Sequence, residues 1–457
     1  MLNVMAQVLE VFIGLQFGDE GKGKIVDERV TSAKMVDPSK KVLVVRYHGG
    51  ANAGHTVLVR NSNGKLVKFV THSAPTGLTS NSDIAIGPDV AFNPITFAEE
   101  LDSAVKLFGY NGRVLISNRV GILFEFHKLL DSHSENNDSL NVGSTKQGIG
   151  PFYQDNTKRT TRITFQEYIS EGFVNRLNEV LNLKRKELEN AGIWNEKLFE
   201  KILEEHKYAR ERLRSFGANL EYALRKDYFD AGHHIIIEGA QGTGLDVNMG
   251  DLPNVTSSHL LAPFAFPNLG LPRSKFKIYG IEKIYPTRVG NGHLPSLATD
   301  EFAEIGENAG EVGATTGRKR RVGYPDWVFV KRSVIINDCD GIIITRADNV
   351  QNNDIKVCKN YECGGNLTEE ISSSLNGNNA IYDDVRYNWH LWDGPKDLSN
   401  PLLVDETLRN MRADYVKKGF DSLPDGLKKF IRDHDEFIKC KTIGVSIGPS
   451  RGETVYF

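Results

Sequence analysis

A short apolar segment followed by a glycine-rich polar loop recurs along this chain of 457 residues and limits the folds open to it. The run LEVFIGLQF at 9–17 gives way to GDEGKGKIVDERV, which predicts a strand, a glycine loop and a helix. KVLVVRYHGG, from Lys41, and HHIIIEGAQGTG, from His233, begin in the same way. Short buried strands between helical segments indicate an α/β fold with a mainly parallel central sheet.

Two segments depart from this alternation. Residues 164–230 are charged and carry apolar residues at three- and four-residue spacings, which predicts an amphipathic helical insertion packed on the sheet. Residues 349–400 are polar and rich in Asn and Gly, which predicts a peripheral loop-rich segment. We interpret 1–457 as a single domain that includes both segments.

The composition argues against several classes of protein. A net charge of -3 does not favour nucleic acid or a membrane surface as a partner. The sequence contains no run of eighteen apolar residues, so we expect no membrane-spanning helix. Four cysteines in a chain of this length do not form a disulfide scaffold, which favours reduced thiols and a cytoplasmic location.

The first glycine loop, Gly18–Lys24, is a candidate phosphate site. Its glycines allow close approach of the backbone, and the free amides at the start of the following helix bind anions. Ile25 follows Lys24, so the loop lacks the hydroxyl of the G-x-x-x-x-G-K-[ST] motif. Asp19 in this loop is suited to hold a metal or to act as a base. The alternative is a plain strand–turn–helix with surface lysines.

Five further loops combine glycines or turns with polar side chains. They are His48–Thr56, Gly143–Pro151 followed by Arg159, Glu238–Thr243, Gly313–Arg321 and Thr345–Asp348. The basic run at 318–321 is also compatible with a nucleic-acid patch or a localisation signal, but the preceding Gly and Thr residues favour an ordered anion loop. In a parallel sheet, ligands bind at the carboxyl ends of the strands. The loops together therefore predict a site for two phosphorylated ligands.

The order of these motifs resembles that of the adenylosuccinate synthetases, over nearly the whole chain. The motifs are GDEGKGK at 18–24, GANAGHT at 50–56, GSTKQGIGP at 143–151, EGAQGT at 238–243, VTSS at 255–258, TRVG at 287–290, GATTGRKRR at 313–321 and SIGPSRGET at 446–454. The resemblance implies a ligase that uses GTP and Mg²⁺ to join IMP and L-aspartate through a 6-phosphoryl-IMP intermediate. It also implies a cytoplasmic homodimer with shared active sites.

By resemblance, three side chains form the catalytic set, Asp19, His55 and Gln241. Asp19 would take the proton from N1 of IMP and bind Mg²⁺ together with the carbonyl of Gly54, and His55 would act as the acid in phosphoryl transfer. A carboxylate base in a pocket that excludes water suits the removal of this proton, because the loss makes O6 a nucleophile.

The resemblance also assigns the ligand contacts. Those implied for GTP are Gly18, Glu20, Gly21, Lys22, Gly23, Lys24, Gly54, His55, Thr56, Arg320, Arg346, Asp348, Ser446 and Gly448. Those implied for IMP are Asp19, Lys22, Asn52, Ala53, Gly54, His55, Ser144, Thr145, Arg159, Gln241, Thr256 and Arg318. Those implied for aspartate are Thr315, Thr316 and Arg318. Asp348 would read guanine within a C-terminal part of about 340–457, and Arg159 would reach IMP across the dimer interface.

Three features depart from the family pattern. The segment His259–Arg273 is bulky and apolar where the family is small and Gly-rich, which leaves the shape of the IMP and aspartate pocket open. Gln147 replaces a usual Arg, and Arg346 replaces a usual Lys. The loop that contains Gln147 is shared with phage relatives that join (d)GMP to aspartate, whereas the retained Asp19 favours IMP. A third hypothesis, a non-catalytic nucleotide-binding paralogue, would require the loss of a catalytic side chain.

Overall fold

A ten-stranded sheet runs through the computed structural model, which describes residues 7–137, 143–311, 319–371, 374–392 and 406–457. The strands of the chain are β1 (Leu9–Gly14), β2 (Val42–Arg46), β3 (His55–Arg60), β4 (Leu66–Thr71), β5 (Asp83–Ile86), β6 (Val114–Ser117), β7 (Gly217–Ala218), β8 (His234–Glu238), β9 (Lys277–Lys283), β10 (Thr287–Arg288), β11 (Arg321–Val322), β12 (Gly341–Thr345), β13 (Cys358–Cys363), β14 (Asn366–Thr368), β15 (Asn379–Tyr382), β16 (Thr442–Ser446) and β17 (Thr454–Tyr456).

Helices connect these strands. They are α1 (Lys22–Val36), α2 (Pro94–Phe108), α3 (Glu125–Asn137), α4 (Ile149–Lys158), α5 (Phe165–Ile169), α6 (Phe173–Asn190), α7 (Leu198–Leu213), α8 (Leu220–Ala223), α9 (Ala265–Leu269), α10 (Ile305–Asn308), α11 (Trp327–Asn337), α12 (Glu406–Lys418) and α13 (Asp425–Ile438). Of the helices in the described ranges, none has the length and apolar character needed to cross a membrane.

The large sheet is parallel except at one edge. Its strand order is β17-β16-β12-β9-β1-β8-β2-β5-β6-β7, and only β17 runs antiparallel to its neighbour. Parallel neighbours require crossover connections, which explains the alternation of strands and helices along the chain. The α/β fold with a mainly parallel central sheet is therefore confirmed.

Apolar side chains cover both faces of this sheet. Along β8, Ile235 and Ile237 join one core cluster, whereas Ile236 joins another that includes residues of α1. Successive side chains of a strand point to opposite faces, so a strand covered on both faces must be apolar at every position. The continuous run Ile342–Ile344 in β12 has the same cause, since all three residues are fully buried.

The helical character predicted for 164–230 is confirmed by helices α5 to α8. Helix α6 buries Leu177, Val180, Leu181 and Leu188 at three- and four-residue spacings, in a cluster with apolar residues of β5 and β6. The amphipathic pattern thus packs this insertion against one end of the sheet. Whether the whole chain is one domain stays a prediction.

The segment 349–400 contains more regular structure than the expected loops. Within its described residues, β13 pairs with both β14 and β15 in a small antiparallel sheet. Tyr361 and Cys358 anchor this sheet because they are buried against Val328 of α11. The sequence signal was weak since the remaining strand positions are polar and partly exposed.

The bulky segment His259–Arg273 turns away from the loops at the carboxyl edge of the sheet. Phe266, Leu269 and Leu271 belong to the largest core cluster, which also contains residues of β1 and β8, and Leu260 and Leu261 are likewise buried. The bulky side chains of this segment therefore fill the core on one face of the sheet.

Candidate active site

Loops at the carboxyl ends of parallel strands enclose a cavity of about 700 Å3. They follow β1, β2, β8, β12 and β16, whose carboxyl ends share one edge because the strands are parallel. The cavity contains most of the residues predicted for the site, namely Gly18, Asp19, Gly21, Lys22, Gly23, Lys24, Asn52, Ala53, Gly54, His55, Thr56, Ser144, Thr145, Gln241, Thr256, Arg320, Arg346, Asp348, Ser446 and Gly448. No residue of 259–273 lines it.

The first loop is held in shape from the inside by Glu20. This carboxylate is fully buried and accepts hydrogen bonds from the backbone N–H groups of Gln16 (3.1 Å) and Gly18 (2.8 Å). It also accepts one from Lys22 Nζ at 2.6 Å. Because this side chain faces the loop and not the cavity, any contact of Glu20 with GTP is made by its backbone.

Helix α1 begins at the wall of the cavity, where it presents a site for anions. Gly21 caps the helix with φ +89°, a left-handed conformation that favours glycine. A Cβ on Gly23 would lie 2.8 Å from Cβ of His55, so only glycine allows this close approach. The N-terminal amides of the helix and the adjacent lysines are suited to bind phosphate groups.

Lys24 connects this helix to the last loop of the chain. Its Nζ donates to Ser446 Oγ (2.6 Å), to the carbonyl of Gly448 (2.7 Å) and to Thr454 Oγ1 (3.0 Å). The ammonium group is nearly buried and has this set of fixed acceptors. It therefore brings the loop after β16 to the phosphate end of the cavity.

His55 is oriented by Glu238, the last residue of β8. Nδ1 of the imidazole is hydrogen-bonded to Oε1 of Glu238, whose Oε2 accepts from the backbone N–H of Thr76 at 2.9 Å. Burial lowers the pKa of His55 against the opposing effect of Glu238, while nearby Arg46 and Lys22 lower it further. His55 is therefore neutral near pH 7 in the free protein, with the Nδ1 proton donated to the carboxylate.

His55 is one of the residues that line the cavity. Its Nε2 is buried and has no hydrogen-bond partner among the described residues. A buried polar atom without a partner is costly, so its presence beside the N-terminus of α1 indicates a ligand contact. This atom is placed to meet the oxygen of a bound phosphate.

Gln241 and Asn52 form a second polar pair in the cavity. Nε2 of Gln241 donates to Oδ1 of Asn52 at 2.9 Å, and Oε1 of Gln241 is buried without a partner in the described part of the chain. Gln241 adopts φ +51°, which is uncommon for a residue other than glycine and marks a conformation imposed by its surroundings. The unpaired oxygen is suited to accept a hydrogen bond from a ligand.

Asp19 belongs to a network of buried charges. Arg320 Nη2 lies 2.8 Å from Asp19 Oδ2, and Arg320 Nη1 contacts Glu311 Oε2. Glu311 also accepts from Lys283 Nζ at 3.0 Å and from the hydroxyl of Tyr285 at 2.9 Å. Asp19 itself remains partly exposed, with 29% of its side-chain surface accessible, so it faces the cavity.

The charges of this network shift its pKa values. Burial lowers the pKa of Lys283 to about 8, despite the opposing effect of Glu311. Burial alone would raise the pKa of Glu311, but Lys283, Arg346 and Arg320 hold it well below its usual range. Glu311 is therefore a permanent anion that orients the cations around Asp19.

The loop after α3 supplies hydroxyl groups to another part of the cavity wall. Ser144 Oγ donates to Asp131 Oδ1, and the N–H of Gly148 donates to Asp131 Oδ2, both at 2.8 Å. Thr145 and Thr256, both predicted to contact IMP, also line the cavity. Asp131 thus fixes the shape of a loop that lines the cavity with Ser144 and Thr145.

The described lining of the cavity does not include two groups of predicted residues. Arg159 is exposed at the end of α4, outside the cavity lining, and its predicted contact with IMP would need a second copy of the chain. Thr315, Thr316 and Arg318 lie outside the described residues, so their roles stay predictions.

Sequence reasoning missed several residues that shape the site. Glu238 and Glu311 were given no role, although each places a predicted residue, His55 or Arg320. A signal for Glu238 exists, since an acidic residue ends an otherwise apolar buried strand. Glu311 and Asp131 lie in ordinary polar surroundings along the chain, and only their spatial partners reveal them.

Comparison with known proteins agrees with this arrangement. The family described as adenylosuccinate synthetase matches residues 11–455. The chain is 33% identical over 453 residues to the adenylosuccinate synthetase of Geotalea uraniireducens, covering 97% of each chain. It is also 33% identical over 451 residues to that of Clostridioides difficile, again covering 97% of each chain.

Two solved structures are similar in fold. The fully ligated adenylosuccinate synthetase from Plasmodium falciparum superposes with a TM-score of 0.83 at 26% identity, over 98% of this chain and 99% of that one. The succinoaminodeoxyadenylate synthetase of cyanophage S-2L, bound to dGMP and dATP, superposes with a TM-score of 0.58 at 16% identity, over 99% of this chain and 95% of that one. The second likeness concerns the fold alone. With the family match over nearly the full length and the relatives at 33% identity, the chain belongs to the adenylosuccinate synthetase family.

Proposed function

We propose that this protein is a ligase that joins IMP and L-aspartate at the expense of GTP, giving adenylosuccinate, GDP and phosphate. The observation that carries the proposal is the meeting, in one cavity, of a carboxylate, an oriented imidazole and a helix N-terminus. These are Asp19, His55 and the first turn of α1. The membership of the family supports the choice of substrates.

In the first step, Asp19 removes the proton from N1 of IMP. The resulting negative charge on O6 lets this oxygen attack the γ-phosphorus of GTP, which breaks the bond to GDP and gives 6-phosphoryl-IMP. Arg320 and the N-terminal amides of α1 neutralise charge near the transferred group. In the second step, the neutral amine of aspartate attacks C6 and loses a proton, while phosphate leaves with its bonding electrons and takes up that proton.

His55 supports the transfer of the phosphoryl group. His55 lines the cavity, its Nε2 has no partner among the described residues, and the anionic phosphates of GTP favour its protonation against the effect of burial. Protonated Nε2 donates a hydrogen bond to the phosphoryl oxygens while Glu238 stabilises the imidazolium. The pair therefore supplies positive charge where negative charge develops.

Mg²⁺ fits the donors at this end of the cavity. Mg²⁺ is bound in proteins by one or two carboxylates together with phosphate oxygens. Asp19 and the carbonyl of Gly54 are hard oxygen donors that line the same cavity as the start of α1. Bound there, Mg²⁺ would neutralise charge on the phosphate oxygens. Within the described ranges, no cluster of three or more His, Cys, Asp or Glu side chains forms a separate metal cage.

The remaining assignments belong to this proposal. Asn52, Thr145, Gln241 and Thr256 contact IMP, and Thr315, Thr316 and Arg318 contact aspartate. The protein works as a homodimer in the cytoplasm, in which Arg159 reaches the IMP of the partner subunit. The exposed position of Arg159 at the end of α4 supports this last assignment.

A phosphate-release assay with GTP, Mg²⁺ and aspartate tests the proposal, with IMP, GMP or dGMP offered in turn. We expect phosphate release only with IMP, together with adenylosuccinate as product. We expect no phosphate release when aspartate is omitted. Release with dGMP or GMP in place of IMP would move the protein to the ligases that make diaminopurine precursors. No release with any of the three would contradict a catalytic role.

A further inference from the structure

Arg412 lies directly behind the carboxylate assigned to the guanine base. Its Nη2 is 3.5 Å from Asp348 Oδ2, and its Nη1 is 3.2 Å from Glu453 Oε1. Asp348 lines the cavity, whereas Arg412 does not and is fully buried. The guanidinium therefore connects the base end of the cavity to the loop after β16.

The position of this guanidinium is closely defined. It lies over the ring of Trp392 at 5.0 Å from the ring centroid, and a Cβ on Gly448 would come within 2.8 Å of its Nε. A buried cation is stable only when it is paired, and here two carboxylates share it. The planar fork of arginine makes such a bridge possible, which a lysine ammonium does not reproduce.

Helix α12, which carries Arg412, contains none of the motifs that identified the site. Its contact with Asp348 joins positions 64 residues apart in the chain. The loop that contains Asp348 also contains Arg346, a second cation near this carboxylate. Arg412 differs from Arg346 because it approaches from outside the cavity.

We propose that Arg412 is a positioning residue that sets the base specificity of this site. It holds Asp348 so that both carboxylate oxygens face the base and accept from N1–H and from the 2-amino group of guanine. A carboxylate has about four lone-pair positions, so one contact on Oδ2 leaves acceptors for both donors. The inference rests on the proposed function, since it takes a guanine nucleotide as the ligand at Asp348.

The inference predicts that loss of Arg412 affects the binding of guanine and hypoxanthine nucleotides to different extents. Both bases donate N1–H, but only guanine carries the 2-amino group. A carboxylate that is free to rotate keeps the first hydrogen bond and loses the aligned second one. Loss of Arg412 therefore weakens the binding of guanine nucleotides more than the binding of hypoxanthine nucleotides.

The test compares GDP and IDP affinities by calorimetry in the full-length protein and in three variants. Arg412→Met removes the cation, Arg412→Lys retains charge without the fork, and Lys418→Met is the control because it removes an exposed ion pair with Asp414 on the same helix. We expect the preference for GDP over IDP to fall by about tenfold or more in Arg412→Met and by less in Arg412→Lys. The control is expected to keep the preference of the wild type.

Equal weakening of GDP and IDP would overturn the inference, because it would show that Arg412 only anchors α12. Unchanged affinities for both nucleotides in Arg412→Met would also overturn it. Should both Arg412 variants fail to fold, a crystal structure of the wild type with GDP decides. Arg412 at Asp348, with both carboxylate oxygens on the base, would support the inference, and an Arg412 displaced from Asp348 would overturn it.

This test is independent of turnover. If the wild type prefers GDP to IDP as expected but releases no phosphate from GTP, the proposed function is wrong and the role of Arg412 still stands. If the wild type is an active ligase and its Arg412 variants keep the preference for GDP over IDP, only the inference on Arg412 is wrong.

Discussion

Arg320 Nη2 lies 2.8 Å from Asp19 Oδ2, and the same guanidinium contacts Glu311. The proposed base is thereby held at the cavity wall by a cation that a second, fully buried carboxylate keeps in place. Glu311 is in turn bound by Lys283 at 3.0 Å. The position of Asp19 thus depends on a chain of charges that reaches into the core.

Replacement of Asp19 by Asn is expected to lower kcat by about a hundredfold or more, because the base is lost while the shape of the side chain is retained. Affinity for GDP should change little. Steady-state phosphate release and calorimetry measure the two quantities, with Asp37→Asn, in the turn after α1, as the control. A variant that keeps more than about a tenth of the wild-type rate would rule out Asp19 as the base.

Replacement of Arg320 by Met is expected to lower kcat by about tenfold or more, since Asp19 loses its fixed position. In the Asp19→Asn background the same replacement should have a smaller effect, because the two residues act as a pair. A double-mutant cycle on kcat measures this coupling. Fully additive effects would show that Arg320 acts on the substrates without involving Asp19.

The pair of His55 and Glu238 gives a prediction for the phosphoryl transfer. Glu238→Gln should lower kcat by about tenfold or more, because the amide neither stabilises the imidazolium nor fixes the tautomer. The KM for IMP should stay within about twofold. Glu100→Gln is the control, since Glu100 is a buried acidic residue that accepts hydrogen bonds from the backbone N–H groups of His72, Ser73 and Ala74. Equal losses in the two variants would indicate a general effect on folding.

Sharing of the active site between subunits predicts complementation. Arg159→Leu and Asp19→Asn subunits are each expected to be nearly inactive. In an equimolar mixture about half of the dimers are mixed, and one of the two sites in each mixed dimer has both residues, so the mixture should recover about a quarter of the wild-type activity. Activity after mixing is compared with each variant alone, and mass spectrometry verifies the mixed dimers. Verified mixed dimers without activity would argue against sharing.

His434 predicts a pH dependence of stability. Although burial alone would lower its pKa, Glu282 and Asp435 raise it from 6.5 to about 9. Nε2 lies 3.1 Å from Glu282 Oε1, and Nδ1 lies 3.5 Å from Asp435 Oδ1. A pKa raised in the folded state gives stability that is fully present below pH 6.5 and is lost as pH rises through about 9.

The measurement is the free energy of unfolding in urea between pH 6 and pH 9.5, for the wild type and His434→Gln. The difference between the two proteins should be largest at the acidic end and shrink towards the alkaline end. Exposed His390→Gln serves as the control and should show no such trend. A difference that is constant with pH would contradict the charged state of His434.

The sequence by itself determined the fold class and the family. Strands covered on both faces must be apolar at every position, so runs such as Ile342–Ile344 appear directly in the sequence. Glycines in the first loop follow from its backbone conformation and from the approach of His55 to Gly23, and they appear there as a motif. Local requirements of this kind leave local signals.

Only the tertiary structure decided which loops meet and which side chains hold them. Lys24 and Ser446 lie 422 residues apart and His55 and Glu238 lie 183 apart, yet both pairs are hydrogen-bonded. These contacts depend on how the strands are arranged in space, and hydrophobic periodicity carries no information on strand order. For the same reason, no local pattern shows that His259–Arg273 fills the core or that Arg412 lies behind Asp348.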